Sequence, residues 1–225
     1  MARKIYWGIA IAALLVMGLA FFQGDQPVDK SDLPWHIGHP TEDTIKIFGV
    51  TLGQTTTDEA EQHFKEEGKP ILFKSHSGKL AVEVFFEQVN LAGLKARIVL
   101  SIKAPDAELQ AMFDRGLRMK FTGSGKEITL TPADAEKIYM MPISSLTYMP
   151  LVRLEDSVFL KRFGQPELRI REKQSGVVHW LYPHNGLDIA LGGKEKPLLQ
   201  YVSPGNFDKL LEPLLANSEL VKQGD

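Results

Sequence analysis

Two segments in the first half of the chain alternate apolar and other side chains with the period of two that is typical of β-strands. In LAVEVFFEQ, residues 80–88, the even positions up to Phe86 are apolar, and in KARIVLSIK, residues 95–103, all even positions are apolar. Because only a strand places such a set on one side, the pattern predicts two neighbouring strands of an antiparallel sheet that bury this face.

The carboxylates of the first strand lie on its other face. Glu83 and Glu87 would face Arg97 or Lys103 across an antiparallel pair. Opposite charges on neighbouring strands stabilise a sheet, so cross-strand ion pairing is the preferred interpretation of these residues. A pair of catalytic carboxylates is the alternative.

The order of elements along the chain occurs twice. Gly68-Lys69-Pro70 ends a predicted helix and is followed by a strand, a Ser-Gly turn and further strands, and Gly164-Gln165-Pro166 has the same sequel. A repeated order of this kind is typical of a duplication. It predicts one α+β unit over residues 44–116, a connecting hairpin and helix over 117–149, and a second unit over 150–225.

An uncharged apolar segment, residues 5–22, follows directly on Arg3 and Lys4. Its 18 residues would extend about 27 Å as a helix, close to the roughly 30 Å hydrocarbon core of a bilayer. With the basic pair held in the cytoplasm, the segment predicts a single-pass anchor in the inner membrane, with the remaining chain in the periplasm. The predicted fold class is therefore α+β, an N-terminal membrane helix (residues 1–24) followed by two duplicated helix–antiparallel-sheet–helix units.

A cleaved signal peptide is the alternative for the same segment, with Gly18 and Ala20 before the cut and Phe21 as the new N-terminus. The chain contains no cysteine, which excludes lipoprotein processing. Residues 23–43 contain three prolines and two glycines without periodicity, and they predict a linker over residues 25–43.

Composition excludes several classes of function. The formal net charge is −2 at pH 7, which disfavours nucleic-acid binding. Without cysteine there is no thiol nucleophile and no thiolate metal site. His36 and His39 have a chelating spacing only in a helix, which Pro34, Gly38 and Pro40 disfavour. We therefore expect no catalytic residue, no metal and no cofactor.

Two groups of apolar residues are candidates for a binding surface. On the predicted strand VVHWLYP, alternation places Val178, Trp180 and Tyr182 on one face, which is either core or an aromatic platform for a partner. The second group is either core padding or an adaptable contact surface, and it comprises Tyr139, Met140, Met141, Tyr148 and Met149.

A helix that ends in Gly-x-Pro, then a strand, a short turn and a strand with an aromatic pair such as Trp180 and Tyr182, resembles the SmpA/OmlA small-lipoprotein family, which has the BamE-like fold. Two such units, over residues 44–116 and 150–216, are similar to the tandem arrangement of the β-lactamase-inhibitory protein. The resemblance implies a non-catalytic binding module of the cell envelope that holds a protein partner against an open sheet face. This chain lacks the lipidated cysteine of the small lipoproteins, so outer-membrane placement is not implied.

Three functions follow from these observations. The first is a membrane-anchored periplasmic protein without catalytic activity that binds a protein partner of the envelope. The second is a cell-wall or glycan hydrolase that uses Glu83, Glu87 or Asp188 as carboxylates. The third is a carrier that holds a lipid or another apolar ligand between sheet and helices.

Overall fold

An antiparallel sheet of eleven strands forms the centre of the protein. The computed structural model describes residues 29–123, 125–192 and 196–221. The large sheet comprises β4 (Lys69–Ser75), β5 (Leu80–Leu91), β6 (Leu94–Ile102), β7 (Arg118–Thr122), β8 (Gly125–Thr129), β9 (Ile143–Pro150), β10 (Leu168–Glu172), β11 (Val178–Tyr182), β12 (Leu187–Leu191), β13 (Leu198–Val202) and β14 (Ser218–Leu220). Across this sheet the strand order is β14-β10-β11-β12-β13-β9-β6-β5-β4-β8-β7.

A small sheet, five α-helices and three short 3-10 helices complete the described part of the chain. The small sheet comprises β1 (Gly38–Thr41), β2 (Thr44–Ile47) and β3 (Val50–Thr51). The helices are α1 (Thr57–Phe64), α2 (Asp106–Asp114), α3 (Pro132–Tyr139), α4 (Asp156–Phe163) and α5 (Phe207–Ala216).

The pairing predicted from the two alternating segments is confirmed. Strands β5 and β6 are antiparallel, with Leu91 opposite Leu94 at the turn. The two turn residues, Ala92 and Gly93, have φ angles of 51° and 82°. Positive φ at both positions is the backbone of the tight turn whose twist matches that of the strands, and glycine adopts it without steric cost.

Helix α1 begins at Thr57 and ends before Gly68, where the sequence predicts its end. Thr56 and Glu59 form a capping box, in which the Thr56 N–H donates to the Glu59 carboxylate at 2.8 Å. The helix ends at Phe64 because Lys65 takes a left-handed conformation with φ 54°. Gly68, predicted to cap the helix, instead lies close against β5, where a Cβ at this position would be 2.5 Å from the Val84 side chain.

The prediction of two duplicated helix–sheet–helix units is wrong, because β9 joins the two halves. One side of β9 pairs with β6 and the other with β13, so all strands from β4 to β14 belong to the same sheet. Residues 143–149 of this strand lie in the predicted connector, where MPISSLTYMP resembles a loop in its polar content. The strand nevertheless alternates, with Leu146 and Tyr148 buried and Thr147 and Met149 half-buried.

One face of the large sheet is covered along its length. Helix α1 packs here through Phe64, whose ring meets that of Phe86 edge-on at 5.2 Å. At the other end Phe163 of α4 contacts Tyr182 at 5.7 Å. Between them, Phe48 of the small sheet stacks on Tyr148 at 4.9 Å. These residues belong to the main hydrophobic core.

The opposite face carries helix α5 at one end. Phe207 of α5 forms a second hydrophobic cluster with Ile170, Leu181 and Val202. These three residues lie on β10, β11 and β13, so α5 covers the second half of the sheet.

Residues 29–43 pack on the domain, although the sequence predicts a linker over 25–43. The carbonyl of Pro34 accepts a hydrogen bond at 2.7 Å from the buried Tyr201 hydroxyl, and the Trp35 ring lies 4.5 Å from the Arg162 guanidinium. Ile37 contacts the main core. The segment also contains β1, which pairs with β2 although it includes Gly38 and Pro40.

Over residues 29–123, 125–192 and 196–221, no helix combines the length and the apolar character needed to cross a bilayer. The predicted transmembrane signal-anchor, residues 5–22, lies outside the described residues, so the structure does not support this prediction.

Candidate functional site

Five apolar side chains lie on the same sheet face as α5, in the half of the sheet that this helix does not cover. Each is half-buried, and none belongs to either hydrophobic cluster. They come from four adjacent strands, β4, β5, β6 and β9, and we call them the uncovered face: Ile71, Phe73, Phe85, Val99 and Met149.

Alternation explains how the uncovered face arises. Residues Val84, Leu100 and Leu146 point to the helices and are fully buried, so their sequence neighbours must point the other way. Phe85 pairs with Val99, which pairs in turn with Thr147. In the described part of the chain, this face has apolar residues and no helix above them.

Glu83 lies within the uncovered face. Its direct neighbours across the strands are Ile71 and Ser101. On the same face Phe73 and Phe85 flank it, with ring centroids 5.9 Å apart. Among the described residues Glu83 makes no hydrogen bond and no ion pair, and burial raises the pKa of its carboxyl group. It is a half-buried carboxylate without a cation.

Glu87 differs from Glu83, although both lie on β5. Arg97 contacts Glu87 at 3.3 Å, and both side chains are more than half exposed. The predicted cross-strand ion pair is thus confirmed for Glu87 and wrong for Glu83. The Arg97–Glu87 pair forms a charged rim beside the uncovered face.

A groove of about 530 Å³ continues the uncovered face towards the second half of the sheet. Arg97 and Met149 line it on one side. On the other side lie Ala190, Leu198 and the backbone of Gly192. The open surface is therefore longer than the five apolar residues alone.

The predicted aromatic face is part of the core. Trp180 is 6% exposed and Tyr182 is 4% exposed, and both belong to the main hydrophobic cluster with Val178 packed against it. The Tyr182 hydroxyl donates to the Gly164 carbonyl at 3.0 Å, and burial raises its pKa to about 12. The alternation predicted for this strand is confirmed, and of its two interpretations the core is the one that the burial favours.

The tyrosines and methionines of the second predicted binding group do not form one surface. Met140 is 70% exposed, Met141 packs on the main core and Tyr148 is fully buried. Tyr139 donates through its hydroxyl to the Gly68 carbonyl at 2.9 Å. Met149 alone lies on the uncovered face. The residues separate because α3 ends at Tyr139 and the following strand places Tyr148 and Met149 on opposite sides.

A polar network lies beneath α5. The Nδ1 atom of His179 is 2.8 Å from the Asp188 carboxylate and its Nε2 atom is 3.4 Å from Glu172. Ser175 donates to the second oxygen of Glu172. Burial alone lowers the pKa of His179, but the two carboxylates outweigh it and hold the pKa above its ordinary value. The sequence analysis did not predict this network. The feature that indicates it is the register of the β11–β12 hairpin, which places His179 and Asp188 on adjacent strands.

The arrangement does not favour hydrolysis. Asp188 lies four strands away from β5, about 19 Å at the usual strand spacing, and is engaged by His179. Glu83 and Glu87, four residues apart along one strand, are separated by about 13 Å. The two carboxylates of a glycosidase lie within about 10 Å of each other. The three residues proposed for the hydrolase therefore do not converge.

The histidines of the N-terminal segment have no chelating partner in the described structure. His39 stacks on His184 with ring centroids 5.1 Å apart. Among the described residues no group of three His, Cys, Asp or Glu side chains has the geometry of a metal site.

Comparison with known proteins gives no family for this chain. A scan against protein-family models, a search of curated proteins and a search of solved structures each found no match. The resemblance to the SmpA/OmlA family stays a prediction.

Proposed function

We propose that this protein is an exported, non-catalytic binding protein of the bacterial cell envelope, and that it holds a protein partner against its uncovered face. The observation that carries the proposal is the set of five half-buried apolar side chains that lies outside both hydrophobic clusters. An exposed apolar surface of this kind on a folded domain is typical of an interaction site.

The layout of the face suits a protein interface. Its centre is apolar, with Phe73 and Phe85 as aromatic contacts, and its rim carries the Arg97–Glu87 ion pair. Protein interfaces commonly combine a desolvated apolar centre, enriched in aromatic residues, with a charged rim.

Glu83 specifies the chemistry of the partner. A carboxylate that is half-buried without a cation costs free energy in the isolated protein. A lysine or arginine of the partner, placed over Glu83, would supply the missing charge and would be held by a charge-assisted hydrogen bond. The proposed partner surface is therefore apolar with a central cation.

The proposed location rests on the sequence. The uncharged segment of residues 5–22, behind Arg3 and Lys4, directs the chain out of the cytoplasm. The partner would then be a periplasmic protein or the periplasmic part of a membrane protein of the same envelope.

Site-specific crosslinking in intact cells tests this proposal. A photo-crosslinking amino acid in place of Thr147 lies at the centre of the sheet, between Val99 and Gln200. We expect one dominant covalent adduct from this position. Adding Glu83→Gln to the same chain should lower the adduct yield several-fold, because the cation of the partner loses its carboxylate.

Two control positions separate the uncovered face from other surfaces. Glu136 is exposed on α3, on the helix-covered side, and should give no adduct. Phe121 is 73% exposed on the edge strand β7. Adducts from Phe121 without adducts from Thr147 would move the partner to the sheet edge and would contradict the proposal.

A further inference from the structure

A cavity of about 280 Å³ opens at the outer corner of the sheet, away from the uncovered face. Strands β10, β11 and β12 provide Arg169, Arg171, Trp180, Val178 and Leu191 to its wall, and the segment before α4 closes it. The register aligns these residues on one side: Arg169 pairs with Trp180, and Arg171 pairs with Val178, which pairs with Leu191.

The charged residues that line the cavity are mostly positive. Its described lining contains three guanidinium groups, those of Arg153, Arg169 and Arg171, and one carboxylate, that of Asp156. The chain as a whole has a formal net charge of −2, so this excess of positive charge is local.

Arg169 is held in place. Its guanidinium lies 4.6 Å from the Trp180 ring, and its Nη2 atom donates to Gln165 at 3.0 Å. Arg171, two residues along the same strand, makes no hydrogen bond or ion pair to any described residue. One fixed and one unengaged guanidinium therefore face the same small space, above the apolar side chains of Val178 and Leu191.

We propose that this cavity binds a small organic anion. The guanidinium of Arg171, aided by Arg169, holds a carboxylate or phosphate group, because the planar fork of arginine matches both in a bidentate arrangement. A planar apolar group of the ligand packs on Val178, Leu191 and the edge of Trp180. The volume lies just below the usual range for drug-sized ligands, so it suits one ring with one anionic group.

Calorimetric titration of the purified full-length protein tests the proposal. The probes are phenyl phosphate, benzoate, inorganic phosphate and phenol at one fixed ionic strength. We expect saturable binding of phenyl phosphate or benzoate, and the tighter of the two identifies the anionic group. Inorganic phosphate and phenol, each lacking half of the ligand, should bind at least about tenfold more weakly.

A matched pair of arginine variants locates the site. Arg171→Gln should weaken binding of the preferred probe about tenfold or more, since a charge-assisted hydrogen bond is lost. Arg118→Gln removes an exposed arginine at the far edge of the sheet and should leave binding unchanged.

Three results would overturn the proposal: no saturable binding of either organic anion, equal binding of inorganic phosphate and phenyl phosphate, or equal effects of the two variants. All three are independent of the uncovered face, because the cavity lies on the other side of the sheet.

Discussion

Glu83 and Glu87 show how much a single residue position decides. Both occupy polar positions of one strand, and the sequence predicts the same cross-strand partners for both. The register between β5 and β6 shifts after Phe86, so that Glu87 and Gln88 together oppose Arg97. This bulge gives Glu87 its ion pair and leaves Glu83 opposite Ser101, which has no charge to offer.

The pH dependence of the stability of the Glu83→Gln variant tests this assignment. Burial raises the pKa of Glu83 in the folded state, so the folded protein holds this proton more tightly than the unfolded chain does. The contribution of Glu83 to stability is therefore lost as the pH rises through the pKa of Glu83 in the folded protein. We expect Glu83→Gln to raise the free energy of unfolding at pH 7 slightly, by about 0.5 kcal/mol or less, and to have no effect near pH 4.

Glu87→Gln is the matched control, measured by urea unfolding at the same two pH values. It breaks the exposed ion pair with Arg97 and should lower stability at pH 7 by up to about 1 kcal/mol. A loss of stability for Glu83→Gln at pH 7 would show that Glu83 has a partner and would contradict its assignment.

The sequence shows which residues of helix α5 are apolar, but it does not show where the helix packs. Its apolar stripe is evident from the sequence, with Phe207, Leu210, Leu211 and Leu214 at helical spacing, and these residues do pack on the sheet. The sequence does not show that α5 lies on the opposite face from the other helices. That placement buries the His179 network and leaves the first half of the sheet open.

The network under α5 predicts a dependence of stability on pH. His179 faces Glu172 of β10 and Asp188 of β12, and Lys209 of α5 lines the space between the helix and these residues. The pKa of His179 is raised in the folded state, so its stabilising contribution is present below about pH 6.5 and is lost as pH rises through the folded pKa. We expect His179→Gln to remove this loss of stability with rising pH and to lower the free energy of unfolding by about 1–3 kcal/mol at pH 6.

Urea unfolding from pH 5.5 to 8.5 measures both effects. His76→Gln, which changes an exposed histidine outside the network, is the control and should reproduce the pH profile of the unaltered protein. If His179→Gln has the same profile as the unaltered protein, His179 does not titrate in this window and the assignment fails.

At the scale of the whole molecule, the continuous sheet predicts cooperative unfolding. Strand β9 shares hydrogen bonds with both halves, so neither half keeps its central strand when the other unfolds. Ile189→Ala in β12 removes a fully buried side chain and should lower stability by about 2–5 kcal/mol. The loss should appear equally in hydrogen exchange of β5 amides and in the fluorescence of Trp180.

Leu220→Ala is the control for this experiment. Leu220 lies on the edge strand β14 and is 67% exposed, so its loss should change stability by less than about 0.5 kcal/mol. Two separate transitions, with β5 unaffected by Ile189→Ala, would indicate two independent units.

The sequence by itself determined the features that depend on nearby residues: the β5–β6 pair, the cap of α1 at Thr56 and the alternation that buries Trp180 and places His179 on the other face. These follow from turn geometry and from the period of two, which are local. Only the tertiary structure decided that β9 joins both halves, that residues 29–43 pack on the core and that one sheet face is left uncovered. Each depends on contacts between residues far apart in the chain, and a half-polar strand such as β9 is recognised only once its neighbours on both sides are in place.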